Sequence, residues 1–316
     1  DDDAKVYAML QQGDSVGVFQ VESRAQMSML PRLQPACFYD LVIQIAIVRP
    51  GPIQGDMVHP FLRRRAGKES IDYPSPEVRQ VLERTLGVPI FQEQVIKLAM
   101  VAAGFSGGEA DALRRAMSSW KRHGELDKFR HKLVGGMVTR GYDKAFAERL
   151  YQQILGFGEY GFPESHAASF AVLTYASAWL KYHYPAAFYC AILNSQPMGF
   201  YSASQLVQDA RRHDVQVLPV CINHSAWDHS LETTDTAELA IRLGLRQVKG
   251  VRQGPIQELI AQRPPQGFQG LSQVQALHLA KGQLESLASA NALTCFSGHR
   301  YQARWQLLDN HQDLPL

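Results

Sequence analysis

From Ala4 to about Ser195 apolar residues recur at helical spacing. The runs are cut by proline- and glycine-bearing turns: RPGP (Arg49 to Pro52), YPSP (Tyr73 to Pro76), GFSGG (Gly104 to Gly108) and GFGEYGFPE (Gly156 to Glu164). A chain patterned in this way must bury its apolar stripes helix against helix. The pattern changes between Val215 and Gly244, where VQVLPV appears and WDHSLE and ELAIRLGL alternate in the strand manner around TTDTA. The expected fold is mainly α: a helical domain over residues 1–205, then a small domain over 206–316 that begins with a short β hairpin.

Beyond the strands, Leu243 to Arg263 carries apolar residues on both sides of a glycine turn at Gly250, followed by a helix with Ile256, Leu259 and Ile260 on one face. This is the layout of a helix-hairpin-helix, whose turn amides and following helix N-terminus can meet a DNA phosphate. Lys249, Gly250, Arg252 and Gly254 are the candidate DNA contacts, and Arg252 stands where a second turn glycine is usual. Leu271 to Leu293 reads as a second, degenerate copy, which would make the pair a tandem. A plain helical hairpin remains open.

Composition excludes little. With 316 residues, 46% hydrophobic, the chain can bury a core, and a net charge of +2 neither demands nor forbids a nucleic-acid partner. Cys37, Cys190, Cys221 and Cys295 form no CxxC pair, which argues against a disulfide framework and a structural zinc site and fits a cytoplasmic setting. No signal segment is legible, and the apolar run Ala167 to Leu180 is too short for a membrane span. The start DDDAKVY, without methionine, reads as internal to a longer protein.

LRRAMSSWK (Leu113 to Lys121) sets two adjacent arginines in a helix whose start is marked by a capping box, Ser106 to Glu109. Ala110, Leu113, Met117 and Trp120 share the apolar stripe, so Arg114 and Arg115 turn toward a flank. Asp111, four residues before Arg115, is the expected partner of that arginine, with Arg114 left unpaired. A solvated face competes here with an anion site. Lys121, Arg122, His123, Lys128, Arg130, His131 and Lys132 form the densest basic stretch, which makes a phosphate-rich partner credible.

In GFPESHAASF, Pro163 and Ser165 favour a helix start that places His166 in the first turn, near amides that attract anions. Ser165 beside His166 is not a catalytic dyad, because adjacent helical residues point about 100° apart. Pro50 and Pro52 should present Arg49 from a rigid turn. Arg63, Arg64 and Arg65 read as a solvated helix end, and FQEQV (Phe91 to Val95) as either a cleft lining or a helix cap. GxxxxGK[ST], GxGxxG after a strand, HExxH, GxSxG and a closely spaced aspartate pair on an apolar strand are all missing from the sequence. No metal ligand and no catalytic residue is therefore assigned.

Seven stretches in order, GVFQVES, RPGP, FQEQV, DALRRAM, SHAASFAVL, LKYHYPAAF and VLPVCIN, resemble the fingers region and following tandem helix-hairpin-helix of the bacterial C-family DNA polymerases, the polymerase III alpha-subunit family. Ser118, Ser119 and Trp120 stand where replicative members carry Gly-Lys-Lys, and Pro163 and Glu164 where they carry Asn-Lys. With LNSQPMGFY, this resembles the error-prone second alpha-subunit branch. The resemblance implies that Arg114 and Arg115 clamp the triphosphate of an incoming dNTP, with Lys121 a weaker candidate. His166 would contact its sugar or base, with Ser165 nearby. It further implies primer-template DNA as substrate, and magnesium held by a palm domain upstream of this chain. An accessory Y-family-like protein, a small recombinase-like protein and the sliding clamp would be partners, with QDLPL (Gln312 to Leu316) a partial clamp-binding motif. The two lost lysine positions would weaken triphosphate attraction. The rival reading is a non-catalytic DNA-binding or protein-docking module.

Overall fold

The computed structural model describes residues 2–49, 53, 57–118, 127–157, 163–277 and 279–309. Two compact units divide between Tyr182 and His183. The division lies ahead of the 205/206 boundary drawn from sequence, because helices Pro185–Asn194 and Ala203–Arg212 pack with the strands of the second unit. No helix among the described residues is long and apolar enough to cross a membrane.

The first unit is helical. Helices Ala4–Gln11, Arg24–Leu33 and Phe38–Ile47 pack in sequence, and Val58–Arg65 returns onto Arg24–Leu33. The last of these helices does not end in solvent as expected for Arg63, Arg64 and Arg65. Arg65 forks onto Asp40, Nη1 to Oδ1 at 2.6 Å and Nη2 to Oδ2 at 2.8 Å, and donates to the Gln34 carbonyl. Arg63 and Arg64 both reach Glu69, and Arg64 also donates to the Leu86 carbonyl. Helical spacing could not disclose these acceptors, which lie in other elements.

FQEQV is a cap rather than a cleft lining. The buried Gln94 oxygen accepts the Ile90 and Phe91 amides ahead of helix Gln92–Val101, while its nitrogen donates to Val81 O and Thr85 Oγ1. Helix Gly107–Ser118 packs on that helix, and Asp127–Thr139 and Lys144–Phe157 pair with each other. Gly136 sits where an added Cβ would lie 2.3 Å from the Ala103 carbonyl oxygen, so a close backbone approach requires glycine there.

In the second unit β2 (Ser230–Thr233) and β3 (Leu239–Arg242) form the expected hairpin, with Leu231 opposite Ile241. β1 (Val217–Leu218) adds a parallel strand on the other side of β3. Arg242 spans diagonally to Glu232, Nη2 to Oε2 at 2.8 Å, and holds that carboxyl below its usual range. A 3-10 turn, Leu245–Gln247, leads through Gly250 to helix Gln253–Ala261, and a second hairpin follows with helices Leu271–Gln275 and Lys281–Ser289. Their shared core includes Val248, Ile256, Leu259, Val274, Leu284 and Leu287.

His229 joins the strands to the first hairpin. It is 4% exposed, its Nδ1 accepts the Gly244 amide at 3.1 Å, and its Nε2 lies 3.1 Å from the Gln247 carboxamide. Burial, reinforced by Arg246 and opposed by Asp228, pushes its pKa down to about 4. An unfolded histidine takes up its proton near pH 6.5, so between there and about pH 4 the unfolded state binds more protons than the folded one. The stabilisation is complete above the unfolded value and is lost as pH falls, by roughly 2–3 kcal/mol in all. Unfolding titrations across that window should show the loss, and His229→Gln should flatten it. An identical pH slope in that variant would remove His229 as the cause.

Candidate functional site

The capping box is formed as the sequence reads. The Ser106 amide donates to Glu109 Oε2 at 2.9 Å and the Glu109 amide to Ser106 Oγ at 3.4 Å. Helix Gly107–Ser118 then buries Ala110, Leu113, Ala116 and Met117. Arg114 and Arg115 stand off that stripe with side chains 51% and 68% exposed. Trp120 lies outside the described residues, as do Ser119 and Lys121.

Arg114 is paired, contrary to the expectation from spacing. Its Nε donates to Asp111 Oδ1 at 3.0 Å, and Arg115 Nη2 lies 3.3 Å from Asp111 Oδ2. The i,i+3 relation that the sequence reading set aside is as good a helical neighbour as i,i+4. One carboxylate therefore gathers two guanidinium groups. Exposed pairs of this kind are worth about 0.3–0.5 kcal/mol each, so they orient the forks without locking them. The donors remain exchangeable toward a stronger anion.

Much of the described basic stretch is answered by acids from elsewhere in the fold. Arg130 Nη2 sits 3.2 Å from both oxygens of Glu148, and Lys132 pairs with Glu109. The contact with Lys132, together with Ser106, holds the Glu109 carboxyl well below its ordinary range. Residues 121–126 lie outside the described set, and nothing of the Lys128 side chain is described.

Ser165 and His166 occupy the first turn of helix Glu164–His183, and both are exposed. The His166 ring meets Phe170 edge-on at 5.0 Å. An internal carboxylate already attends this helix N-terminus, since the Glu164 amide donates to Glu93 Oε2 at 3.0 Å. Glu93 belongs to helix Gln92–Val101, on which the arginine helix also packs, so one element supports both halves of the candidate site. Arg49, also singled out from sequence, donates from Nε to the Ile45 carbonyl at 3.3 Å. Its flanking residues Pro50, Gly51 and Pro52 lie outside the described set.

Glu164, one of the two branch-distinguishing positions before Ser165, has a structural task. Its Oε1 accepts from Tyr39 at 2.9 Å and lies 3.4 Å from Arg84 Nη1, while Arg84 stacks 4.0 Å over the Tyr39 ring. Burial, and then the neighbouring Glu164, push the Tyr39 hydroxyl pKa upward. A lysine at this position would face Arg84 and forfeit the phenol.

In the second unit Lys249, Gly250, Arg252 and Gly254 are all exposed around the first hairpin turn. Gly250 has φ +90°, and a Cβ there would lie 2.6 Å from Ser286 Oγ, so glycine is needed both for the turn and for its approach to helix Lys281–Ser289. Arg252 is the N-cap of helix Gln253–Ala261 and contributes no side-chain cap.

Residues 1–141 match the family described as bacterial DNA polymerase III alpha subunit finger domain, and residues 214–303 match the helix-hairpin-helix motif. The chain belongs to the bacterial polymerase III alpha-subunit family of DNA polymerases and carries parts of its fingers and helix-hairpin-helix regions. Among curated relatives, it is 66% identical over 315 residues to "Error-prone DNA polymerase" of Vibrio parahaemolyticus, 61% over 318 to that of Idiomarina loihiensis and 58% over 316 to that of Pseudomonas paraeruginosa. Each match covers 100% of this chain and 31% of the relative, so the chain spans about a third of the proteins it resembles.

Proposed function

We propose that this chain is the fingers and DNA-binding portion of an error-prone, DNA-damage-induced translesion polymerase. In it, Arg114 and Arg115 hold the triphosphate of the incoming dNTP, while Ser165 and His166 border its sugar or base. The observation that supports this reading is the exposed arginine pair on a helix fixed by its capping box, with both forks gathered on Asp111. Guanidinium forks match phosphate oxygens, and a polyphosphate carries more charge than one carboxylate, so exchange onto the nucleotide is favoured. Positioned positive charge lowers the barrier to phosphoryl transfer through orientation and electrostatic stabilisation.

The donors at this site suit an anion and not a cation, because Asp111 is already committed to both arginines. Magnesium is accordingly assigned to the part of the full-length protein outside this chain, where it would activate the primer hydroxyl. Lys121 keeps its place as a weaker triphosphate candidate. Lys249, Gly250, Arg252 and Gly254 are assigned to the phosphates of primer-template duplex. The accessory Y-family-like and recombinase-like proteins, the sliding clamp and a cytoplasmic location follow from the same family reading. The QDLPL segment lies outside the described residues.

In the full-length enzyme, Arg114→Ala should raise the KM for dNTP by roughly 10- to 100-fold, the cost of one lost charge-assisted pair, with duplex affinity unchanged. Lys249→Glu should do the reverse. If Arg114→Ala left nucleotide kinetics intact while Lys249→Glu abolished duplex binding, the DNA-binding module would be the better description.

A further inference from the structure

The last described helix, Arg300–Asp309, is anchored to the helix-hairpin-helix core by Ala303 and Leu307, which are buried in the same cluster as Leu284 and Leu287. Its outward face follows from helical geometry. Arg300 and Arg304 form one i,i+4 row, and Tyr301 and Trp305 form the adjoining row. Trp305 is 67% exposed and Tyr301 54%, on a helix held in place by its opposite side. Burying aromatic rings is strongly favourable, so leaving two in solvent on a fixed element marks a surface that meets a ligand.

The chemistry around the rings identifies the ligand. The Arg300 guanidinium lies 5.0 Å from the Tyr301 ring centroid, and the His299 ring stacks on the other side of the sequence at 5.0 Å with a 26° interplanar angle. Arg304 lines a cleft that it shares with Lys249, Ser286 and Glu285, so positive charge continues from the first hairpin turn to this helix. Rings in an i,i+4 row lie about 6 Å apart along the axis, which leaves room for a base on each. Cations in one row and aromatic faces in the next are what a strand with phosphates on one side and unpaired bases on the other requires. A duplex keeps its base faces stacked internally and offers nothing to these rings.

We propose that the Arg300–Asp309 helix is a stacking platform for single-stranded DNA, with Tyr301 and Trp305 receiving bases and Arg300 and Arg304 the backbone. The site is separate from the nucleotide site and from the duplex contacts at the hairpin turn. Neither of those readings is needed for it to hold.

The test is the affinity of the 316-residue chain for labelled oligothymidylate and for a labelled blunt duplex, measured by fluorescence anisotropy. The Tyr301→Ala/Trp305→Ala pair should weaken single-strand binding about 5- to 100-fold and leave duplex binding within roughly twofold. Tyr301→Phe/Trp305→Phe should restore it, which separates stacking from folding. Arg304→Ala should reduce the salt slope of single-strand binding by about 0.7. Lys249→Glu, by contrast, tests the hairpin reading through the duplex arm. The proposal is overturned if the wild-type chain does not bind the single strand or if the alanine pair binds it normally. It is equally overturned if the alanine pair loses both nucleic acids alike, or if binding vanishes in the full-length protein, where other polypeptide would then be the occupant.

Discussion

Lys181→Ala is expected to cost the first unit about 3–5 kcal/mol, the range for breaking a buried ion pair by removing one partner. Lys181 lies in LKYHYPAAF near the end of helix Glu164–His183, and its side chain is 0% exposed. Its Nζ donates to Asp14 Oδ1 at 2.7 Å and to the Val16 carbonyl at 3.1 Å, tying the segment after helix Ala4–Gln11 to the helix that carries His166. Removing the ammonium leaves a carbonyl and a carboxylate with diminished pairing in a place where water replaces it poorly. Lys181→Met keeps the aliphatic stem and loses only the charge, so its cost should approach that of alanine if the ion pair dominates. Denaturant unfolding of both variants measures the difference. A change below about 1 kcal/mol in both would show that the pair only breaks even against its desolvation.

Asp40→Ala should be comparable, about 3 kcal/mol, and should also change the acid response. Asp40 is 7% exposed and accepts from both terminal nitrogens of Arg65 and from the Ala36 amide at 2.8 Å. Burial pushes its carboxyl upward, but the Arg65 fork and the Ala36 amide outweigh burial and hold it below the usual range. A depressed carboxyl stabilises above its unfolded value of about 3.9 and loses that contribution as pH falls through the folded value. Wild type should therefore shed this stability only in strong acid, whereas the alanine variant lacks it at neutral pH. Asp40→Asn retains an acceptor and should fall between the two. Superimposable acid unfolding of wild type and Asp40→Ala would exclude the contribution.

The cost of these two changes lies in contacts that the sequence reading had described differently. Arg65 read as one of three solvated arginines because its own helix offers no acid at i−3 or i−4, and Asp40 comes from an earlier helix. Arg114 read as unpaired although Asp111 is its i−3 neighbour. The basic run near Arg130 read as a free patch because Glu148 and Glu109, which answer part of it, lie on other helices. The RYQARW repeat of arginine and aromatic residues at i,i+4 was visible throughout, but its meaning depended on which side of the helix is anchored, and only Ala303 and Leu307 in the packed core decide that.

What the sequence determined by itself was everything carried by local chemistry. The helical period set the mainly α fold, the capping box set the start of the arginine helix, alternation around TTDTA set the hairpin, and seven ordered motifs pointed to the polymerase family. Those features rest on neighbours within a few residues, where spacing suffices. The tertiary structure decided the rest: Arg65 on Asp40, Lys181 on Asp14, Glu164 in the Tyr39 and Arg84 cluster, and the parallel strand β1 beside β3. Each joins residues far apart in the chain. Charge pairing and burial depend on distance in space, and only packing fixes that.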